Sequence, residues 1–94
     1  MIKSFADRET RSIWDGVGSQ RLAHDMQPAA LKKLRMLNRA QSLTDLMNPP
    51  GNRLERLKGD RAGQYSIRIN QQWRVCFQWS DGHAYAVEVV DYHA

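Results

Sequence analysis

The stretch Tyr65-Ser66-Ile67-Arg68-Ile69-Asn70-Gln71-Gln72-Trp73-Arg74-Val75-Cys76-Phe77-Gln78-Trp79 alternates large apolar and polar side chains on both sides of a polar break. Tyr65, Ile67 and Ile69 form one apolar series, and Trp73, Val75, Phe77 and Trp79 the other. A period of two marks a strand with one buried face, so the stretch reads as two antiparallel strands of a hairpin. If Asn70-Gln71-Gln72 is a three-residue loop, Ile69 lies opposite Trp73 and Arg68 opposite Arg74, and both apolar series share one side. A two-residue loop would mix the sides, because a slip of one residue turns every side chain over. Trp73, Phe77 and Trp79 are therefore expected in a core rather than on a base-stacking surface, with Tyr65 and Tyr85 beside them.

After the hairpin, Ser80-Asp81-Gly82-His83 reads as a second turn, carried by its Asp-Gly pair, and leads into the apolar run Ala84 to Val90. His83 is expected to be exposed in that turn. Before the hairpin, Asn48-Pro49-Pro50-Gly51-Asn52 breaks any regular element, and Ser42 to Met47 suits a capped turn. Pro28 fits the first turn of a helix in which Ala30, Leu31, Leu34, Leu37 and Ala40 recur at helical spacing, while Lys32, Lys33, Arg35 and Arg39 fall mainly elsewhere. Asp7 is a plausible N-cap for an earlier helix through Trp14 that stops near Gly16 and Gly18. Ile2 to Phe5 reads as a short first strand. His24, between the helices among polar residues, is given no site role. Helices followed by a meander of strands place the chain in the α+β class.

With 94 residues the chain is expected to be one domain, residues 1–94, able to bury roughly 60 to 65% of its unfolded surface. Hydrophobic residues make up 41% and charged ones 26%, the balance of a folded globule rather than a disordered tail. No apolar run approaches the roughly 20 residues that span a bilayer, and the polar N-terminus is unlike a signal peptide, so a cytoplasmic location with no membrane partner is expected. The lone Cys76 cannot form an internal disulfide, in keeping with a reducing compartment. With one Cys and three scattered His there is no recognisable metal-ligand spacing, and no cofactor is expected.

Charge is localised. From Arg53 to Arg74 there are six cations (Arg53, Arg56, Lys58, Arg61, Arg68, Arg74) against Glu55 and Asp60, a surplus of +4 that equals the formal net charge of the whole chain. Such a segment is either the footprint of a phosphate-binding surface or a solvated basic face. The hairpin register adds an argument for phosphate. Arg68 and Arg74 become cross-strand neighbours, and like charges so placed are destabilising by a few tenths to about 1 kcal/mol. Glu88 on the last strand could offset this, or a nucleic-acid phosphate could.

The last strand runs into Asp91-Tyr92-His93, an acid, a phenol and an imidazole that can orient, stack and transfer protons if the chain end is tied into the sheet. Strict alternation places Asp91 and His93 on the face of Val87 and Val89, away from Arg74. For His93 to meet Arg74 the chain must twist or leave the ladder near Val90.

The order Pro49-Pro50-Gly51-Asn52-Arg53-Leu54-Glu55-Arg56-Leu57-Lys58-Gly59-Asp60-Arg61, then Asn70-Gln71-Gln72-Trp73-Arg74-Val75-Cys76-Phe77, then the closing Asp91-Tyr92-His93 resembles the HigB-type toxins of the RelE-like group of bacterial toxin-antitoxin systems. The likeness extends to the opening Met1-Ile2-Lys3-Ser4-Phe5. It implies a RelE-like, microbial-ribonuclease-type α+β fold with two N-terminal helices packed on an antiparallel sheet. It further implies a metal-independent endoribonuclease that enters the ribosomal A site and cuts mRNA during translation. The partner it implies is a cognate helix-turn-helix antitoxin, through which alone the complex would meet operator DNA.

Metal-free RNA cleavage needs a base for the 2′-hydroxyl proton, cations for the dianionic phosphorane and an acid for the leaving 5′-oxygen. Glu55 is assigned as the base or its helper, Arg74 as the phosphorane clamp, and Arg53, Lys58, Arg61 and Arg68 as phosphate holders. His93 is then the acid, Asp91 holds its tautomer, and Tyr92 stacks on or hydrogen-bonds to a nucleotide. The base stays open between Glu55 and His93, since some relatives carry a histidine near the position of Glu55. Arg56 beside Glu55 would make a plain surface ion pair the alternative. Two rival classes are a non-catalytic RNA- or ribosome-binding module and an interaction domain whose basic face receives an acidic partner.

Overall fold

Asn70 closes the central hairpin: its side-chain oxygen accepts hydrogen bonds from the backbone N–H groups of Gln72 (2.8 Å) and Trp73 (2.9 Å), the side-chain-capped turn that asparagine favours. The computed structural model describes residues 1–92. It contains helix α1 (Arg8–Trp14), helix α2 (Gln27–Arg39) and strands β1 (Glu55–Arg56), β2 (Gln64–Arg68), β3 (Trp73–Ser80) and β4 (His83–Asp91). The strands form one antiparallel sheet in the order β1-β2-β3-β4. Arg68 pairs with Arg74, and the Ile69 amide donates to the Trp73 carbonyl at 2.9 Å, the register of the three-residue loop.

The helices form where their caps and spacing place them. Asp7 accepts from the Thr10 amide at 2.9 Å to start α1, and Gly16 takes a positive φ of 82° just past its end. Pro28 lies in the first turn of α2, which buries Ala30, Leu34 and Leu37. Ser42 and Asp45 make a reciprocal capping box on the short turn Leu43–Met47. These helices cover one face of the sheet, where Ile67, Val75, Phe77, Ala84, Val87 and Val89 join Ile13 and the α2 residues in one hydrophobic cluster. Phe77 is fully buried at its centre, its ring 6.2 Å from both the Tyr65 and Trp79 rings.

A β-bulge in β4 sets the direction of everything after it. Cys76 pairs with Glu88 but Gln78 pairs with Tyr85, so β4 carries one residue more than β3 over the same span. Ala86 absorbs the extra length with a left-handed φ of 52°. Ala84 and Val87, three positions apart, are consequently both buried in the core, whereas perfect alternation would have parted them. Tyr85, expected beside the core aromatics, pairs instead with Gln78 on the opposite face. His83, expected to be exposed, is half-buried at the first position of β4, with its Nδ1 buried and unpartnered.

The N-terminal residues secure this bulge. Ile2 to Phe5 do not form a continuous strand; they make two isolated parallel bridges, Ile2 to Ala84 and Phe5 to Val87. Around them the Ser4 hydroxyl accepts from the Ala86 amide at 2.8 Å and the Thr10 hydroxyl from the Val89 amide at 2.8 Å. Amides on the outer edge of β4 are thereby satisfied without a further strand. Truncating Phe77 to Ala should cost about 3 to 5 kcal/mol in chemical denaturation, the usual penalty for emptying a packed aromatic site. A change near zero would remove Phe77 from the core.

Candidate functional site

The sheet face opposite the helices is polar, yet its centre is buried. Ser66 and Cys76 are fully buried and Arg74 is only 7% exposed. A buried guanidinium is tolerable only when its donors are satisfied, because desolvating an unpaired charge is costly. Arg74 meets that requirement on three sides. Its Nε donates to the Ser66 hydroxyl at 2.7 Å, and its Nη2 donates to the Arg53 carbonyl at 2.5 Å and the Ser66 carbonyl at 3.3 Å. Nη1 points toward the Glu55 carboxylate, 3.9 Å away.

The Arg53 carbonyl is in place because of the proline turn. Asn52 is fully buried and donates from Nδ2 to the Leu46 carbonyl (3.1 Å), the Asn48 carbonyl (3.3 Å) and the Met36 sulfur (3.0 Å). Its Oδ1 accepts from the Lys33 ammonium of α2 at 2.6 Å. Burial, with a smaller contribution from neighbouring Lys32, lowers the pKa of Lys33. Past this anchor Arg53 turns left-handed, at φ 44° and ψ 56°, which reverses the chain into β1 and aims its carbonyl at Arg74. Glu55 then pairs with Ser66 across β1 and β2, on the Arg74 side of the sheet. The two residues expected to act as base and clamp are thus adjacent. Glu55 has Arg74, not its neighbour Arg56, as its ion-pair partner.

The other expected residues are distributed around this pair. Arg61 binds Glu88 through both terminal nitrogens at 3.2 Å and Gln64 at 3.1 Å. Glu88, one of the two offsets considered for the Arg68–Arg74 repulsion beside a nucleic-acid phosphate, is committed to Arg61, and within the protein Arg74 is compensated by Glu55 and the carbonyls around it. Arg68 folds back so that its Nε donates to the Asn70 carbonyl at 3.1 Å. The side chains of Arg53 and Lys58 are exposed, and no carboxylate among the described residues pairs with them. Arg53 also contributes by its backbone, a role its side chain did not announce.

At the end of β4, the face exchange made by the bulge leaves Glu88, Val90 and Tyr92 on the Arg74 side. Arg74 pairs with Val90, Trp73 pairs with Asp91, and the Tyr92 amide extends the ladder by donating to the Gln72 carbonyl at 2.6 Å. The Tyr92 ring lies over the Arg74 guanidinium, 5.9 Å from carbon to ring centre, within cation–π range. Asp91 lies on the other face and accepts from the Gln72 side chain at 3.1 Å. His93, the expected acid, lies outside the described residues. Cys76 is a member of this face that the charge census passed over, as is Ser66; their parity with Arg68 and Arg74 was the available signal. Burial raises the pKa of Cys76, and burial together with Cys76 raises that of Tyr92, against the lowering influence of Arg61 and Arg74.

The face therefore offers one immobilised guanidinium with an outward edge, a carboxylate beside it, an aromatic lid and a rim of further cations. Among the described residues no group of three or more His, Cys, Asp or Glu side chains is gathered in a way that could hold a metal. A family model described as the RelE-like toxin of the type II toxin-antitoxin system HigB matches residues 3–93. The chain belongs to the HigB-like toxin family.

Two relatives of this toxin are similar over almost their whole length. "Toxin HigB-1" of Vibrio cholerae is 40% identical over 85 residues, covering 89% of this chain and 90% of the relative. "Endoribonuclease HigB" of Proteus vulgaris is 35% identical over 94 residues, covering 99% of this chain and 100% of the relative. Among solved structures, a YoeB–YefM complex from Staphylococcus aureus aligns at a TM-score of 0.60 with 19% identity, over 100% of this chain and 99% of that one. A YoeB/ParE toxin from Agrobacterium tumefaciens aligns at 0.54 with 19% identity, over 97% and 99%. At that identity the structural likeness speaks to fold, and the fold is the expected RelE-like one.

Ser66→Ala leaves the Arg74 Nε–H buried and unpaired, so the toxin should lose about 1 to 3 kcal/mol in denaturant melts, whereas a surface serine changed to alanine should be near neutral. A neutral Ser66→Ala would mean that Arg74 is held some other way. Cys76 and Tyr92 both hold their protons more tightly folded than unfolded. The stability they contribute is complete below their unfolded pKa values and falls as pH rises through the folded ones. Unfolding midpoints should therefore drop above about pH 9 to 10, and Tyr92→Phe should flatten part of that decline. A midpoint that rises through this range would contradict the burial of Cys76 and the partial desolvation of Tyr92.

Proposed function

We propose that this toxin is a ribosome-dependent endoribonuclease that inhibits translation by cutting mRNA, using its own side chains and no metal cofactor. The observation that carries this reading is the pairing of Glu55 with a buried, pre-oriented Arg74. A cation fixed before substrate arrives stabilises a developing phosphorane without reorganising at the moment of reaction. Its Nη1 edge is the one toward which phosphate oxygens would come, since Nε and Nη2 are occupied by the protein.

In this reading Glu55 or His93 removes the proton of a 2′-hydroxyl, and the 2′-oxygen attacks the adjacent phosphorus. Arg74 holds the charge that builds on the equatorial oxygens. The bond to the 5′-oxygen breaks as an acid, assigned to His93, delivers a proton to it, leaving a 2′,3′-cyclic phosphate and a 5′-hydroxyl. Asp91 orients His93, and Tyr92 contacts a nucleotide from its position over Arg74. Arg53, Lys58, Arg61 and Arg68 hold the flanking phosphates, with Arg61 doing so from its pair with Glu88. Dependence on the ribosome would follow if the A site supplies the bent mRNA geometry that brings the 2′-oxygen in line.

The partner proposed is a cognate helix-turn-helix antitoxin, supported by membership of a type II toxin-antitoxin family and by a fold neighbour whose structure is a toxin-antitoxin complex. Operator DNA would be met through that antitoxin alone. No helix among the described residues is long and apolar enough to cross a membrane, and the cytoplasm, where ribosomes are, is the proposed location.

Inducible expression with mapping of new mRNA 5′ ends tests the activity. Cuts should appear only inside translated frames and should vanish for Arg74→Ala, provided that variant is recovered folded. Persistent cutting by a folded Arg74→Ala, or cuts spread equally over untranslated RNA, would overturn the reading.

A further inference from the structure

The bulge at Ala86 sends one aromatic residue out of the core. Ala84 and Val87 are buried on the helix side of the sheet, so Tyr85 projects to the polar side, where it pairs with Gln78. It is half-buried there, and among the described residues its ring has no aromatic or guanidinium partner and its hydroxyl no hydrogen bond. Tyr65, by contrast, stacks on Phe77 with 6.2 Å between ring centres. A left-handed alanine, a conformation that residues with a Cβ disfavour, is thus what presents the Tyr85 ring to the Arg74 face.

Tyr85 is in line with the residues around Arg74. Val90 pairs with Arg74, Glu88 with Cys76 and Tyr85 with Gln78, so three successive rows cross the polar face. Rows lie two residues apart along β3, which puts Tyr85 roughly 13 Å from the Arg74 row. The Tyr92 ring lies over the Arg74 guanidinium in the first row, and Arg61 sits on Glu88 in the second. Gln64 ties the second row to the third, since it accepts from Arg61 at 3.1 Å and pairs with Gln78 across β2 and β3. The order along the face is ring, cation, cation, ring. A single strand of nucleic acid alternates planar bases with phosphates, and grooves that hold one combine stacking rings with backbone cations in the same way.

We propose that Tyr85 is a stacking platform for a nucleobase of the bound RNA strand, outside the two nucleotides that flank the cut. This subsite rests on the RNA-cleaving reading, because Arg74 marks where the scissile phosphate lies. A strand that leaves Arg74 along the face passes a phosphate by Arg61 and reaches Tyr85 with a base beyond it. The face of a tyrosine ring accepts any base, so the platform adds affinity and holds the strand in line without choosing a sequence.

The test uses the full-length toxin and two single strands of about ten nucleotides, long enough to cross the face. One is an oligoadenylate of 2′-O-methyl riboses, which attack by a 2′-oxygen cannot cleave, and the other is an abasic strand with the same number of phosphates. Binding is measured by fluorescence anisotropy over a salt series around about 0.1 M for the wild type, Tyr85→Phe and Tyr85→Leu. Tyr85→Leu should bind the oligoadenylate about tenfold more weakly yet hold the abasic strand as the wild type does, and Tyr85→Phe should match the wild type on both. Salt slopes should be the same for all three proteins, because no phosphate contact is lost. Equal affinity of the wild type and Tyr85→Leu for the oligoadenylate would overturn the proposal. An equal loss by Tyr85→Leu on both strands would do so too, since it marks a change of fold and not a lost base contact. A loss by Tyr85→Phe as large as that by Tyr85→Leu would assign the contact to the hydroxyl and rule out stacking. Failure of the wild type to bind either strand would also sink the platform. Absence of mRNA cuts by the wild type would overturn the enzymatic reading instead, and leaves the comparison of the two strands independent.

Discussion

A full positive charge is buried in the polar face of a small sheet, and the surroundings of that charge account for most of what is unusual here. Arg74 could not lie buried near the start of β3 without acceptors on several sides. Ser66 supplies two of them from the adjacent strand, and Arg53 supplies a third only because it turns left-handed after a buried asparagine. Glu55 completes the set from the edge strand. Loops that would otherwise look like connectors are thus parts of one electrostatic seat, and the proline turn, the Asn52 anchor and the two-residue β1 exist in fixed relation to it.

The second determinant is a single extra residue. By inserting Ala86 into β4, the chain keeps Val87 and Val89 in the core and delivers Tyr92 to the guanidinium. Without the bulge the same strand would present its valines to the polar face. The N-terminal segment holds this arrangement through Ser4 and Thr10, so residues at the two ends of the described chain meet at the element that orients the site. Fold and chemistry are coupled through backbone geometry at the bulge and at Arg53, held in place by side chains distant in sequence.

Much of this was legible in the residues. The alternation from Tyr65 to Trp79 set the hairpin and its register, the caps at Asp7 and Ser42 set the helix starts, and parity set Asp91 apart from Arg74. The bulge was not legible, because the residue that takes a positive φ is an alanine and not the glycine that usually marks such a position. Tyr85 was misplaced for that reason. The Arg61–Glu88 pair was missed because it joins a turn to a strand 27 residues away, a separation that no local pattern encodes. The part played by Arg53 was hidden because a backbone carbonyl has no residue-type signature, whereas Ser66 and Cys76 could have been found by extending the parity of Arg68 and Arg74.

If the seat matters because it fixes a fork of donors and not merely a charge, lysine in its place should fail. Lysine keeps the positive charge but cannot span Ser66, the Arg53 carbonyl and an incoming phosphate at once. The measurement is the single-turnover rate of mRNA cleavage on programmed ribosomes for Arg74→Lys against the wild type, with the folded fraction of each checked by circular dichroism. A loss of about 100-fold or more per folded molecule is predicted. A rate close to that of the wild type would contradict the assignment of Arg74 as the phosphate clamp.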